Sequence, residues 1–165
     1  MKILAIETSC DETALAIVEC SGGKTKPQFK VVKSLINSQI ALHREWGGVV
    51  PNIAKREHIK NLPTLLRQIF RSKKLEVSSK EIDAIAVTVG PGLEPALWTG
   101  IEFAKTLSKQ LKKPLLGANH MEGHVFSVLL NAENRSKSKE VRSKGGNKNL
   151  NSNFMLHTSS LRFPA

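Results

Sequence analysis

"KILAIETSCDETALAIVEC", residues 2–20, consists of two runs rich in Ile, Ala, Leu and Val with the polar "CDE" between them. Two short strands joined by a tight turn have this pattern, so a β-hairpin is predicted over residues 2–20. Downstream, "SGGKTKPQ" (21–28) reads as a turn and "FKVVKSLINS" (29–38) as a third strand, which makes a three-stranded antiparallel meander the economical arrangement. The chain then breaks at Gly47-Gly48 and restarts at Pro51, a residue suited to the first turn of a helix. Ile53, Ile59, Leu62, Leu65, Leu66 and Ile69 recur at helical spacing, which predicts an amphipathic helix over 51–71, kinked at Pro63. "EIDAIAVTVGPG" (81–92) is a nearly continuous apolar run ending in a Gly-Pro-Gly turn, the mark of a strand buried on both faces. A helix is expected from about 96 to 109, a short strand at "PLLGAN" (114–119) and a further helix from 120 to about 130. The order β-β-β-α-β-α-β-α places the chain in the α/β class, with an antiparallel hairpin feeding a mixed sheet.

The composition changes after Leu130. "NAENRSKSKEVRSKGGNKNLNSN" (131–153) has almost no apolar residues to offset its ordering entropy, so a mobile insertion is expected there. "FMLHTSSLRFPA" (154–165) turns apolar again, like the start of a further strand. With 25 Lys and Arg against 14 Asp and Glu the net charge is +11, which favours contact with a polyanion such as nucleic acid. Six of those cations, against one acid, fall in residues 135–148, where they either add phosphate contacts or simply solvate the insertion. The five apolar residues before Glu7 are too few for the roughly 7–15 residue core of a signal peptide, and no stretch approaches the about 20 apolar residues of a membrane span. A cytoplasmic protein is expected. Cys10 and Cys20 form no CxxC pair, and a strand between them would hold them roughly 20 Å apart, beyond disulfide reach.

Three motifs carry candidate chemistry. In "ETSCDET" (7–13) a strand ends in a turn that exposes hydroxyls, carboxylates and backbone N–H groups, able to orient a phosphate or a hydrated cation but equally the ordinary makings of a polar turn. No basic residue lies near Cys10 in sequence to lower its pKa, so a nucleophilic role is not favoured. In "VGPGLEPALWTG" (89–100), Gly90 and Gly92 stand between strand and helix, where a ligand can approach the backbone and the helix amino terminus suits phosphate. With the Ser9 hydroxyl, they are the candidate nucleotide-binding positions. In "NHMEGHV" (119–125), His120 and His124 are four apart and share one face of a helix, where their imidazole nitrogens suit zinc or iron. Glu122 does not fit the HExxH pattern, so the general base of a metallopeptidase is missing. Two ligands are also fewer than the three that a catalytic site usually takes.

Taken together, "KILAIETSCDETALAIVE", "NSQIALHREWGGVVPNIAKREHIKNL", "VGPGLEPALWTGIEFAKTLS" and "NHMEGHV" stand in the order and spacing of the TsaD family, which this chain resembles over residues 1 to about 130. The resemblance implies an actin-like, ribonuclease H-like ATPase fold of two lobes (the ASKHA type), with residues 1–130 as the first lobe, 131–153 as the insertion and 154–165 as the start of the second. It implies transfer of a threonylcarbamoyl group from threonylcarbamoyl-AMP to N6 of the adenosine 3′ of the anticodon, in tRNAs reading codons that begin with A. His120 and His124 match the family's metal-binding histidines, for one divalent ion, iron or zinc. Asp11 and Glu12 match the acidic hairpin tip facing its active-site cleft. The implied partners are tRNA, TsaB-like and TsaE-like proteins and a TsaC-like enzyme that makes the adenylate. The family's Ser-Gly-Gly-His nucleotide-binding segment and the aspartate that completes its metal site would follow "LRFPA", so residues 1–165 alone are expected to bind metal weakly and to be inactive. Two rivals are a non-catalytic TsaB-like scaffold, which lacks the HxxxH pair, and a metallopeptidase, for which Glu122 is wrongly spaced.

Overall fold

β1 (Lys2–Glu7) carries four consecutive buried residues, Ile3, Leu4, Ala5 and Ile6, because it lies between two other strands and is covered on both faces. The computed structural model describes residues 1–23, 26–71 and 78–126 of the 165. Around β1 the sheet runs β3-β2-β1-β4-β5, built from β2 (Glu12–Ser21), β3 (Gln28–Ser38), β4 (Ala84–Gly90) and β5 (Leu115–Asn119). β2 is antiparallel to β1 and β3, while β4 runs parallel to both β1 and β5, so β2 alone opposes the rest. This is the ribonuclease H-like order that the resemblance implies, and the hairpin, the meander and the mixed sheet follow the sequence expectation.

Residue parity assigns the two faces. Leu4 and Ile6 of β1, Leu15 and Ile17 of β2, and Ile85 and Val87 of β4 share one core with Leu62, Leu65 and Ile69 of helix α2 (Pro51–Phe70) and with Leu97, Ile101 and Leu107 of helix α3 (Glu94–Leu111). Each of these large side chains contributes roughly 1.5–3 kcal/mol by leaving water. The opposite face is lined by smaller residues, Ala5, Ala16, Ala84 and Ala86, with Ile3 and Val18. Glu7 and Thr88 continue that second face to the end of the sheet.

α2 departs from its expected apolar stripe. Ile59 is 55 % exposed, whereas Ala54, His58 and Asn61 take buried positions beside Leu62, Leu65 and Ile69. The buried set 54, 58, 61/62, 65, 69 keeps the helical period, and position 59 falls one residue, about 100°, off it. α2 continues through Pro63, which is exposed, so the carbonyl it cannot bond is on the solvent side. A short helix α1 (Ile40–His43) precedes a 3-10 turn at Arg44–Trp46 that closes on Gly47 with φ +67°, a left-handed position that favours glycine. Sequence periodicity missed α1 because four residues are too few to show a period. α3 starts two residues before its expected beginning, with Pro95 in its first turn.

The register of β2 against β3 slips between Ile17 and Val18, where Val32 is passed over in a bulge. Beside the bulge, Lys33 Nζ donates to the carbonyls of Gln68 and Ile69 at 2.5 and 2.8 Å, closing the carboxyl end of α2. A last helix α4 begins at His120 and is described to Phe126, while the expected continuation to 130, the insertion 131–153 and the segment 154–165 lie outside the described residues.

Close packing of α3 on β1 is set at Gly100, where an added Cβ would collide with the hydroxyl of Thr8. Thr8 is fully buried and donates to the Ala96 carbonyl at 2.9 Å, so it has little freedom to yield. Gly100→Ala is therefore expected to lower unfolding stability by about 1–3 kcal/mol in urea denaturation. A second expectation concerns pH. Burial holds the His58 imidazole below its ordinary value; the Cys10 carbonyl and the Glu7 and Asp11 charges favour protonation, and His43 opposes it. An unfolded histidine titrates near about 6.5, so the neutral native ring contributes stability that is full above that pH and is lost as pH falls from there through its native pKa. Denaturation midpoints between about pH 7.5 and about pH 5 should fall less in His58→Gln than in the unsubstituted chain.

Candidate functional site

β1, β4 and β5 are parallel, so their carboxyl ends meet at one edge of the sheet, where ligands bind in open α/β sheets. Glu7 ends β1, Thr88 lies near the end of β4, and β5 ends at Asn119 and passes directly into α4. The hairpin tip between β1 and β2 supplies Ser9, Cys10 and Asp11 to the same edge.

Glu7 organises the cluster. Its Oε1 accepts the Ser9 backbone N–H at 2.5 Å, and its Oε2 accepts the Thr88 hydroxyl. His120 Nδ1 lies 3.5 Å from Glu7 Oε2 and 3.2 Å from the Ser9 hydroxyl. Burial alone would raise the Glu7 carboxyl, but hydrogen bonding from His120, Ser9 and Thr88 outweighs it and holds the group below the usual carboxylate range. The same contact with Glu7 lifts His120 above the ordinary imidazole value, with burial opposing. A carboxylate beside Nδ1 favours a proton on that nitrogen and leaves the Nε2 lone pair directed outward.

That lone pair meets the second histidine. His120 Nε2 and His124 Nε2 are 3.0 Å apart, with the rings nearly perpendicular and their centres 4.5 Å apart. Without a metal, one ring donates N–H to the other. With both Nε2 atoms unprotonated, the same convergence suits two donors to one ion, each about 2.0–2.1 Å from a zinc. The donor chemistry fits the ion that the resemblance implies. Among the described residues, no group of three or more His, Cys, Asp and Glu side chains gathers to hold a metal. The pair is aimed by Asn119, whose Oδ1 accepts the Met121 and Glu122 N–H groups at 2.9 and 3.1 Å and so caps α4.

The structure brings Ser9 into contact with His120 and places Asp11 and Glu12, both half-buried, next along the same tip. Gly92 has a packing reason of its own: a Cβ there would lie 2.6 Å from the Ser9 carbonyl oxygen. Gly90 holds φ at +149° and faces open space. At the α3 amino terminus the Leu93 N–H donates to Ser9 and the Ala96 N–H to Leu93, while Pro95 has none, so much of that end is already engaged. Partial burial and the Asp11 charge push the Cys10 thiol up, as the lack of a nearby base in the sequence suggested. Sequence reasoning assigned no role to Glu7 or Thr88. The available signal was a carboxylate closing a strand buried on both faces, a place where an unpaired charge is not tolerated.

The family model for TsaD, described as tRNA N6-adenosine threonylcarbamoyltransferase, matches residues 30–139. A curated relative of that description from Thermosipho melanesiensis is 47 % identical over 134 residues, covering 81 % of this chain and 38 % of the relative. Another, from Carboxydothermus hydrogenoformans, is 50 % identical over 132 residues, covering 80 % of this chain and 36 % of the relative. The chain thus spans little more than a third of the length of these relatives. Among solved structures, YeaZ from Pseudomonas aeruginosa is similar at a TM-score of 0.45 and 20 % identity, covering 72 % of this chain and 43 % of that one. The matches to the family model and to these relatives run through the helices and the histidine pair that build the site, and the chain belongs to the TsaD family.

Proposed function

We propose that this chain supplies part of a site that transfers a threonylcarbamoyl group from threonylcarbamoyl-AMP to N6 of the adenosine 3′ of the anticodon in tRNAs reading codons that begin with A. The observation that carries the reading is the His120–His124 pair, braced by Glu7 at the carboxyl ends of parallel strands, in a chain of this family. In the reaction the adenine amine attacks the carbamoyl carbon, the bond from that carbon to the adenylate oxygen breaks, AMP departs and the nitrogen sheds a proton. Asp11 and Glu12 are the carboxylates that the tip offers for that proton. Ser9, with Gly90 and Gly92, borders the place proposed for the adenylate.

His120 and His124 would hold one divalent ion, iron or zinc, which when bound polarises the carbonyl of the transferred group. Glu7 keeps the His120 proton on Nδ1, so that Nε2 remains a donor. The +11 charge supports tRNA as the partner, since phosphate contacts dominate nucleic-acid affinity. TsaB-like and TsaE-like proteins and a TsaC-like adenylate-forming synthase complete the reading, placed in the cytoplasm. No helix among the described residues is long and apolar enough to cross a membrane.

The test uses the chain completed to the length of its relatives, with threonylcarbamoyl-AMP and tRNA. Replacing both His120 and His124 by Ala should abolish formation of the modified nucleoside and, because Glu7 loses the His120 ring, lower the melting temperature without unfolding the protein. Absence of transfer by the parent chain would favour the non-catalytic scaffold, and undiminished transfer by the variant would remove the histidine pair from the reaction. Cleavage of a glycoprotein substrate would favour the peptidase instead. Zinc or cobalt titration provides a second readout: Glu7→Gln should weaken metal affinity about 10- to 100-fold, the usual cost of losing a carboxylate that orients a ligating histidine.

A further inference from the structure

Three consecutive carbonyls of the hairpin tip are each held by a different donor. Ser9 O accepts the Leu93 N–H at 2.8 Å, Cys10 O faces His58 Nε2 at 3.0 Å, and Asp11 O accepts the Gln39 N–H at 2.9 Å. The outer two bonds are backbone to backbone, and the middle one depends on a side chain. His58 is wholly buried on α2, as is Thr13 on β2, and Gln39 and His43 are 1 % and 4 % exposed.

The protons in this buried chain are fixed from both ends. The Val50 N–H, which can only donate, points at His43 Nδ1 at 3.3 Å, so neutral His43 carries its proton on Nε2 and donates to Gln39 Oε1 at 3.1 Å. That orients the Gln39 amide nitrogen toward His58 Nδ1 at 3.4 Å, with the Ala54 carbonyl at 3.5 Å as its other acceptor. At the far end the Cys10 carbonyl can only accept, so His58 carries its proton on Nε2. His58 Nδ1 then accepts the Thr13 hydroxyl at 2.8 Å. Both readings converge on one tautomer, and a second proton on His58 would set Nδ1–H against the Gln39 amide.

We infer that His58 is a positioning residue for the transfer site: as a neutral, Nε2-protonated imidazole locked by Gln39 and His43, it holds the Cys10 carbonyl and so sets where Ser9 stands against His120 and where Asp11 and Glu12 stand at the tip. This rests on the reading of the tip as part of that site. His58 touches no reacting group. It acts through the tip backbone, and a displacement there of about 1 Å is enough to slow a reaction about 100-fold.

The test compares His58→Gln, whose amide nitrogen reaches the Nε2 position, with His58→Asn, whose amide ends near Nδ1. Nitrogen-15 NMR of the full chain should find His58 protonated on Nε2 alone. His58→Asn should shift the backbone amide signals of Ser9 to Glu12, and His58→Gln should largely restore them, although both variants lose similar melting temperature. In the completed chain His58→Asn should lower kcat for transfer about 10- to 100-fold with KM for tRNA unchanged, and His58→Gln should recover most of it. A proton on Nδ1, equal tip shifts in the two variants, or a shifted tip with unchanged kcat would each overturn the inference. If the unsubstituted protein transfers nothing, the proposed function fails, and the tautomer and the tip shifts still decide whether His58 holds the tip.

Discussion

A carboxylate at the end of a strand buried on both faces must find partners, and Glu7 finds them in every neighbouring element of the site. The Ser9 N–H comes from the hairpin tip, the Thr88 hydroxyl from β4 and the His120 ring from α4. Burial disfavours the charge and the hydrogen bonds more than compensate, so the buried carboxylate draws its support from all three elements at once. The folding of the central sheet and the geometry of the histidine pair are thereby one problem with one solution.

The packing of α3 serves the same arrangement. Its amino-terminal Leu93 N–H bonds Ser9, Gly92 lets the chain close on Ser9, and Gly100 lets the helix axis approach Thr8. Three successive contacts along 92–100 therefore seat the helix against residues 8 and 9, immediately after Glu7. The two glycines belong to this close approach of helix to strand, a packing role that stands beside any contact with a ligand.

Much of the fold was legible in the sequence because its signals are local. The alternation of apolar runs with "CDE" gave the hairpin, and the unbroken "AIAVTVG" gave a strand with no solvent face. The histidine pair was legible too, because residues four apart on a helix need only the helix to meet. What escaped was non-local. Glu7 and Thr88 are 81 residues apart, and nothing in the sequence near either one announces the other. His58 is one polar residue among many in an amphipathic helix, and its buried position beneath Cys10 depends on the packing of α2 against the sheet. Ile59, which appeared to belong to the apolar stripe, lost that position to His58 because the partners of a buried imidazole were available on that side.

Among the described residues the sheet ends in two edge strands, and their construction bears on behaviour in concentrated solution. β5 has five residues, too short to template a long partner, and β3, the longer edge with 11, carries a bulge at Val32 and lysines at 30 and 33. A bulge twists an edge out of register with any straight strand, and the exposed Lys30 charges it against a copy of itself, while Lys33 is turned to the α2 carbonyls. Accidental strand addition, a common route from an open sheet to aggregates, is thus opposed at β3 by local irregularity and at β5 by brevity.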